Sequence, residues 1–223
     1  MSDGVLAPPV TADAADGAAP AVPVVDFWFD PRCPWAWLTS RWLLEVVKVR
    51  AIRPRWHVMS LALLNDGRDL PPDYRQAMDE ARGPVRVCAA AEQRHGAGVL
   101  GPLYTELGRR FHNEERPNDR ATIEESLVAA GLPAELADAA SDASYDDLLR
   151  ASHEDGISRV GTDVGTPILS VAGASIFGPV VTPAPTGEAA GRLWDGVLLV
   201  LGTDGFFELK RSRDRKPDFG ATG

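Results

Sequence analysis

A single cysteine sits inside the run Asp30-Pro31-Arg32-Cys33-Pro34-Trp35-Ala36-Trp37, among neighbours of the kind a thiol-exchange site uses. The chemistry of such a site is nucleophilic. A thiolate attacks a disulfide sulfur, forms a mixed disulfide, and is released by a second thiol. In a Cys-x-x-Cys motif the releasing thiol lies three residues on, but here position 36 is alanine. Ala36 excludes disulfide closure within the motif, so Cys33 has to work with thiols that arrive from solution.

Pro34 suits the first turn of a helix, where its missing N–H has no intrahelical partner to lose. That places Cys33 at a helix N-terminus, whose partial positive charge and free N–H groups favour a thiolate. An ordinary thiol of pKa about 8.5 is ~3% ionised at pH 7, whereas one lowered to about 6 is ~90% ionised. The expectation is therefore an acidified Cys33, with Arg32 adding positive charge beside it. Trp35 supplies an aromatic wall in place of a proton donor. Cys88, inside Val85-Arg86-Val87-Cys88-Ala89-Ala90, reads instead as a buried structural thiol in a helix interior.

The elements that must hold this site are legible. Val22 to Phe29 is a β-branched and aromatic run closed by Asp30-Pro31, as in a central strand. Leu38, Trp42, Val46 and Val49 then recur at helical spacing over Trp35–Val49. Arg53 to Leu64 returns as a second strand, completing a βαβ unit with parallel pairing. From Pro71 to about Val160 the pattern is helical, with helices expected over 73–82, 84–95, 99–113, 119–130, 133–140 and 145–160. Gly83-Pro84, Arg116-Pro117-Asn118 and Gly131-Leu132-Pro133 separate them. A hairpin follows (Pro167 to Val171, Ser175 to Gly178), then a helix over 187–201 whose Val197 to Leu201 end reads as buried. The tail from Phe206 begins apolar and ends charged, so it should dock first and then fray.

This order is that of an α/β thioredoxin fold interrupted by an all-helical insertion. The expected divisions are a disordered leader (1–22), a first thioredoxin part (23–66), the helical insertion (67–160), a second thioredoxin part (161–205) and a tail (206–223).

Composition sets limits on function. The net charge of −9 argues against nucleic-acid backbone binding, and no apolar run approaches the roughly 20 residues that span a bilayer. Two cysteines and a first segment unlike an export signal point to a reducing cytoplasm. The four histidines, at 57, 95, 112 and 153, lack ligand spacing, so no metal is expected.

An ordered set of segments resembles the DsbA-like superfamily, and within it the actinobacterial mycothiol-dependent oxidoreductases of the FrnE-like and nitroreductase group. The set begins Asp26-Phe27-Trp28-Phe29-Asp30-Pro31, Cys33-Pro34-Trp35, Ser40-Arg41-Trp42 and His57-Val58-Met59-Ser60-Leu61. It continues with Gly83-Pro84-Val85-Arg86-Val87, Gly131-Leu132-Pro133-Ala134, Val164-Gly165-Thr166-Pro167, Phe177-Gly178-Pro179 and Phe206-Phe207-Glu208-Leu209-Lys210. These run from Asp26 to Lys210. The resemblance implies a DsbA-like fold, mycothiol or a similar small thiol as co-substrate, and a small electrophile as partner. It also implies that Thr166-Pro167 is a cis-proline loop facing Cys33, with the Thr166 backbone offered to the thiol ligand. Asn65, Tyr74 and His112 fall where a helical lid reaches the cleft, and His112 is the candidate acid or base. Asp26 and Asp30 are weaker candidates, Asp30 being equally suited to capping the turn before Pro31. The departure is Ala36, where these relatives carry cysteine.

Three readings stay open. The first is a thiol–disulfide oxidoreductase in which Cys33 exchanges with mycothiol as a monothiol. The second is a thiol-cofactor transferase or isomerase resembling kappa-class glutathione transferases, with Cys33 or Ser40 stabilising a cofactor thiolate. The third is a non-catalytic binding module. Monomer and homodimer are both compatible with the sequence.

Overall fold

The central strand β1 (Val24–Phe29) runs parallel to β2 (Arg53–Val58) and antiparallel to β3 (Ile168–Val171), which pairs antiparallel with β4 (Ala174–Phe177). The sheet order is therefore β2-β1-β3-β4, in a computed structural model that describes residues 22–220. The expected leader, apart from Val22, lies outside the described residues.

Helix α1 (Pro34–Val49) crosses from β1 to β2, and α7 (Gly187–Leu201) packs beside it. Trp42 and Trp194 meet there with ring centroids 6.2 Å apart, and the Trp42 indole N–H donates to the Ala190 carbonyl at 3.1 Å. Helices α2 (Leu61–Leu64), α3 (Pro72–His95), α4 (Leu100–Gly108), α5 (Arg120–Ala129) and α6 (Asp146–Ile157) all lie between β2 and β3. A π-type turn, Arg109–Asn113, extends α4. Phe27 and Phe29 point to one face of the sheet, towards Trp56 and Tyr104. Trp28 points to the other, towards Met59, Ile157 and Ile168. This is the burial on both faces expected of a central strand.

Several elements depart from expectation, each for a local reason. The second strand stops at Val58 instead of reaching Leu64, because Ser60 accepts the Leu63 N–H at 3.2 Å and caps α2. The helices expected over 73–82 and 84–95 are one helix, α3, with Pro84 inside it. Proline strips the Glu80 carbonyl of its i+4 donor, and the Asn118 side-chain amide replaces that donor at 2.7 Å. The segment expected as a helix over 133–140 is a 3-10 helix, Ala134–Ser141. The end of α7 is only partly covered: Val197 is buried, whereas Leu199 is 75% exposed. The tail docks in reverse. Phe207 and Leu209 are almost fully exposed, while Phe219 packs against the core, held by the Asp218 N–H to Thr182 Oγ1 at 2.8 Å. Among the described residues no helix is long and apolar enough to cross a membrane.

Candidate active site

The register of the sheet brings the site together. Trp28 pairs with Ile168, so the chain leaves β1 at the same end at which it enters β3. Cys33, four residues beyond β1, thus comes to face Thr166, two residues before β3. Cys33 is the N-cap of α1, and its Sγ accepts the Ala36 N–H at 3.4 Å. The Sγ–H in turn donates to the Thr166 carbonyl at 3.5 Å. The Thr166–Pro167 bond is cis, and the Gly178 N–H donates to the Pro167 carbonyl at 2.8 Å. Thr166 is buried, and its hydroxyl oxygen has no hydrogen-bond partner among the described residues.

Asp30 frames the turn from behind. One carboxylate oxygen accepts the Arg32 N–H and the other the Leu61 N–H, each at 2.8 Å, tying the Cys33 loop to the start of α2. The carboxyl is fully buried, and burial raises its pKa to about 6 despite those two donors and the nearby Arg32 charge.

The expectation of an acidified Cys33 is corrected by its burial. The residue is only 5% exposed, and desolvation pushes the thiol pKa up. The N–H groups of Ala36 and Trp35 pull the other way, while the Asp30 charge adds to the rise. The helix-start donors are present as expected, but removing the thiolate from water outweighs them in the resting site.

Pro34 occupies the first turn of α1 and Trp35 is half-buried, while Ala36 is fully buried. His112 reaches the loop from the π-type turn. Its Nε2–H donates to the Pro31 carbonyl at 2.9 Å, and its ring lies 6.0 Å from that of Trp37. Burial lowers its pKa to about 4, partly offset by the Pro31 carbonyl, with Arg32 lowering it further. The imidazole is therefore neutral at pH 7 and already committed to the backbone, not the near-neutral acid or base suggested by its residue type. Asn65 closes α2 by donating to the Leu61 carbonyl at 2.8 Å, and Tyr74 is exposed on the first turn of α3. Among the described residues, neither hydrogen-bonds to the Cys33 loop. Asp26 is paired with Arg55 and with His57 at 2.6 Å. Ser40 donates its hydroxyl to the Trp37 carbonyl at 2.6 Å. Cys88 is a free, fully buried thiol.

The sequence reading missed an aromatic and cationic wall behind the loop. Tyr104 stacks on Phe29 with centroids 3.8 Å apart, and the Arg41 guanidinium lies 3.9 Å from the Trp37 ring. The tail was missed as well: Arg213 lies 5.1 Å from the Trp35 ring, and Phe219 lies 5.6 Å from the His112 ring. Among the described residues no cluster of three or more His, Cys, Asp or Glu side chains is placed to hold a metal.

A cysteine-capped helix after the central strand, opposite a cis-proline loop, defines a thioredoxin-fold thiol protein. Solved structures share the architecture. A probable DsbA oxidoreductase of Streptomyces coelicolor, SCO1869, superposes with a TM-score of 0.53 at 18% identity, over 90% of this chain and 96% of that one. The cytosolic disulfide reductase DsbM of Pseudomonas aeruginosa, in its structure with GSH, gives 0.52 at 19% identity, over 79% and 99%. At such identities these likenesses establish a DsbA-like thioredoxin fold. Sequence carries the assignment further. The family described as Rv2466c-like, mycothiol-dependent nitroreductase Rv2466c, matches residues 32–211. An uncharacterized protein of Mycobacterium tuberculosis, Rv2286c, is 31% identical over 192 residues, covering 85% of this chain and 82% of that protein. The chain belongs to this family of mycothiol-dependent nitroreductases, and is thereby a thiol-dependent oxidoreductase.

Proposed function

We propose that this protein is a monothiol exchange enzyme of the reducing cytoplasm, in which Cys33 alone carries the mixed disulfide with mycothiol. The observation behind this reading is the pairing of Cys33 Sγ with the Thr166 carbonyl at 3.5 Å, in a motif where Ala36 replaces a resolving thiol. Both cysteines are free, in keeping with a reducing compartment.

The chain's own groups fit such a ligand. The unpartnered Thr166 hydroxyl offers a donor and acceptor to a polar thiol arm, and the half-buried Trp35 ring gives it a flat surface. Asn65, at the end of the α2 helix whose first N–H Asp30 holds, and Tyr74, exposed at the start of α3, are proposed for the outer, lid side of the thiol ligand. In the exchange, the Cys33 thiolate attacks the mycothiol sulfur of a substrate mixed disulfide. A new S–S bond forms at Cys33, the old one breaks, and the substrate leaves as its thiolate. A second mycothiol thiolate then attacks the mycothiol sulfur of that adduct, forming mycothiol disulfide and freeing Cys33 as its thiolate, so that the electron pair reducing the substrate comes from mycothiol. A ligand that occupies the Thr166 carbonyl takes the acceptor of the resting S–H. Sγ then keeps the Ala36 N–H, a partner that favours the thiolate.

Intact-mass measurement after incubation with mycothiol disulfide tests the reading. One adduct is expected on the native chain, released by free mycothiol and absent from Cys33→Ser. A native chain that never gains the adduct refutes it.

A further inference from the structure

The family match ends at residue 211, yet the chain continues over the active-site face. Residues 206–220 form no helix or strand. The first half of this segment is exposed, Phe207 and Leu209 almost fully so. Its end is pinned on two sides. The Asp218 N–H donates to Thr182 Oγ1, in the loop after β4. The Phe219 carbonyl accepts from the Asn113 side-chain amide at 3.4 Å, while the Phe219 ring lies against His112. That loop also receives the Thr39 hydroxyl of α1 on the Pro179 carbonyl at 2.7 Å, and His112 holds the Pro31 carbonyl. The two anchor points therefore flank the 31–35 loop, and between them Arg213 lies over the Trp35 ring.

We propose that Arg213 and Phe219 are specificity-determining residues that narrow the approach to Cys33. The segment beyond residue 211 acts as a strap, admitting slender thiol reagents past Trp35 and excluding bulky ones until it lifts. A bulky ligand then reacts at a rate set by the lifted fraction, so weakening an anchor raises that rate in proportion. The proposal rests on Cys33 being the reactive thiol but not on mycothiol being its partner. The adduct measurement above and the rate measurement below therefore fail independently.

The full-length chain is alkylated with N-ethylmaleimide and, separately, with a fluorescein maleimide, which share one chemistry and differ in size. Cys33→Ser, with and without the strap substitution, reports the background from Cys88. Phe219→Ala loses a half-buried ring contact and is expected to raise the bulky reagent's rate about tenfold, with the small reagent's rate changing less than about threefold. Arg213→Ala, losing an exposed cation–π contact, is expected to raise the bulky rate about threefold. An unchanged ratio of bulky to small rates in Phe219→Ala overturns the proposal, and no rise in Arg213→Ala removes Arg213 from it. An equal rise for both reagents, or one shared by Cys88, means general loosening and also overturns it.

Discussion

Asp30→Asn is the substitution that most directly tests the buried charge behind Cys33. The Asp30 carboxyl is fully buried and its pKa is raised to about 6. In the unfolded chain an aspartate titrates near 3.9, about two units lower. Between about pH 4 and 6 the folded protein therefore holds a proton that the unfolded chain has lost, so stability falls as pH rises through this window. Two units correspond to about 3 kcal/mol. His112 works in the opposite sense. Its folded pKa of about 4 lies below the unfolded value of about 6.5, so the unfolded chain holds the extra proton and stability rises with pH over the same range. That term is also about 3 kcal/mol, and the two largely cancel in the native protein. Asparagine removes the Asp30 term alone. It misplaces an amide against one of the two N–H donors at a cost of ~1–3 kcal/mol, but that cost does not vary with pH. Urea denaturation of both proteins at several values from pH 4 to 7 gives the difference directly. The variant should gain about 2 kcal/mol on the native chain between pH 4 and 7, since part of the Asp30 term is already spent at pH 4, exposing the rising His112 limb. Stability curves that stay parallel across this range refute the buried-carboxylate argument.

Two further substitutions test the neighbouring geometry. Ala36→Cys restores a thiol beside a Cys33 sulfur that already lies 3.4 Å from the backbone nitrogen of residue 36. Mild oxidation should then yield a form two hydrogens lighter, with neither motif thiol free to alkylate. A product in which both remain alkylatable counts against the motif geometry. Gly108→Ala would set a methyl group 2.2 Å from Cε3 of Trp37, a ring already held by Tyr104, by Arg41 and by the Asn113 acceptor of its N–H. Overpacking of this kind costs about 1–3 kcal/mol, so the urea midpoint should drop, and a midpoint matching the native chain would remove Gly108 from the packing argument.

What could be read from sequence follows from how locally each feature is encoded. The β1–α1 junction is carried by a run of β-branched and aromatic residues, a proline and a cysteine within about a dozen positions. The helix 187–201 matches its observed bounds because apolar spacing and flanking glycines agree. The continuity of α3 through Pro84 was not legible, because the donor that repairs the Glu80 carbonyl comes from Asn118, 38 residues away. The arrest of β2 was only half legible. Ser60 is a visible cap, but the Asp30 oxygen that receives the Leu61 N–H belongs to another element. The rise in the Cys33 pKa was invisible for the same reason, since motif chemistry reports the N–H donors and burial is decided by the whole fold. The tail misled because an apolar pair such as Phe206-Phe207 looks like an anchor, whereas the contacts that hold it depend on Thr182, Asn113 and His112.

Burial and the missing thiol bear on each other. In a dithiol motif the second cysteine lies at the position Ala36 holds here, fully buried and directly behind Cys33. Such a thiol reaches the mixed disulfide from inside the protein, so release needs no opening to solvent. In the proposed monothiol cycle, release comes from the ligand side, past Trp35 and Thr166, and the route in is also the route by which the resolving thiol arrives. A site of this kind gains from keeping Cys33 protonated and covered until a ligand displaces the Thr166 contact, because an exposed lone thiolate is open to oxidation with no neighbour to rescue it. The raised pKa, the 5% exposure and the Thr166 hydrogen bond together describe a resting Cys33 of this protected kind.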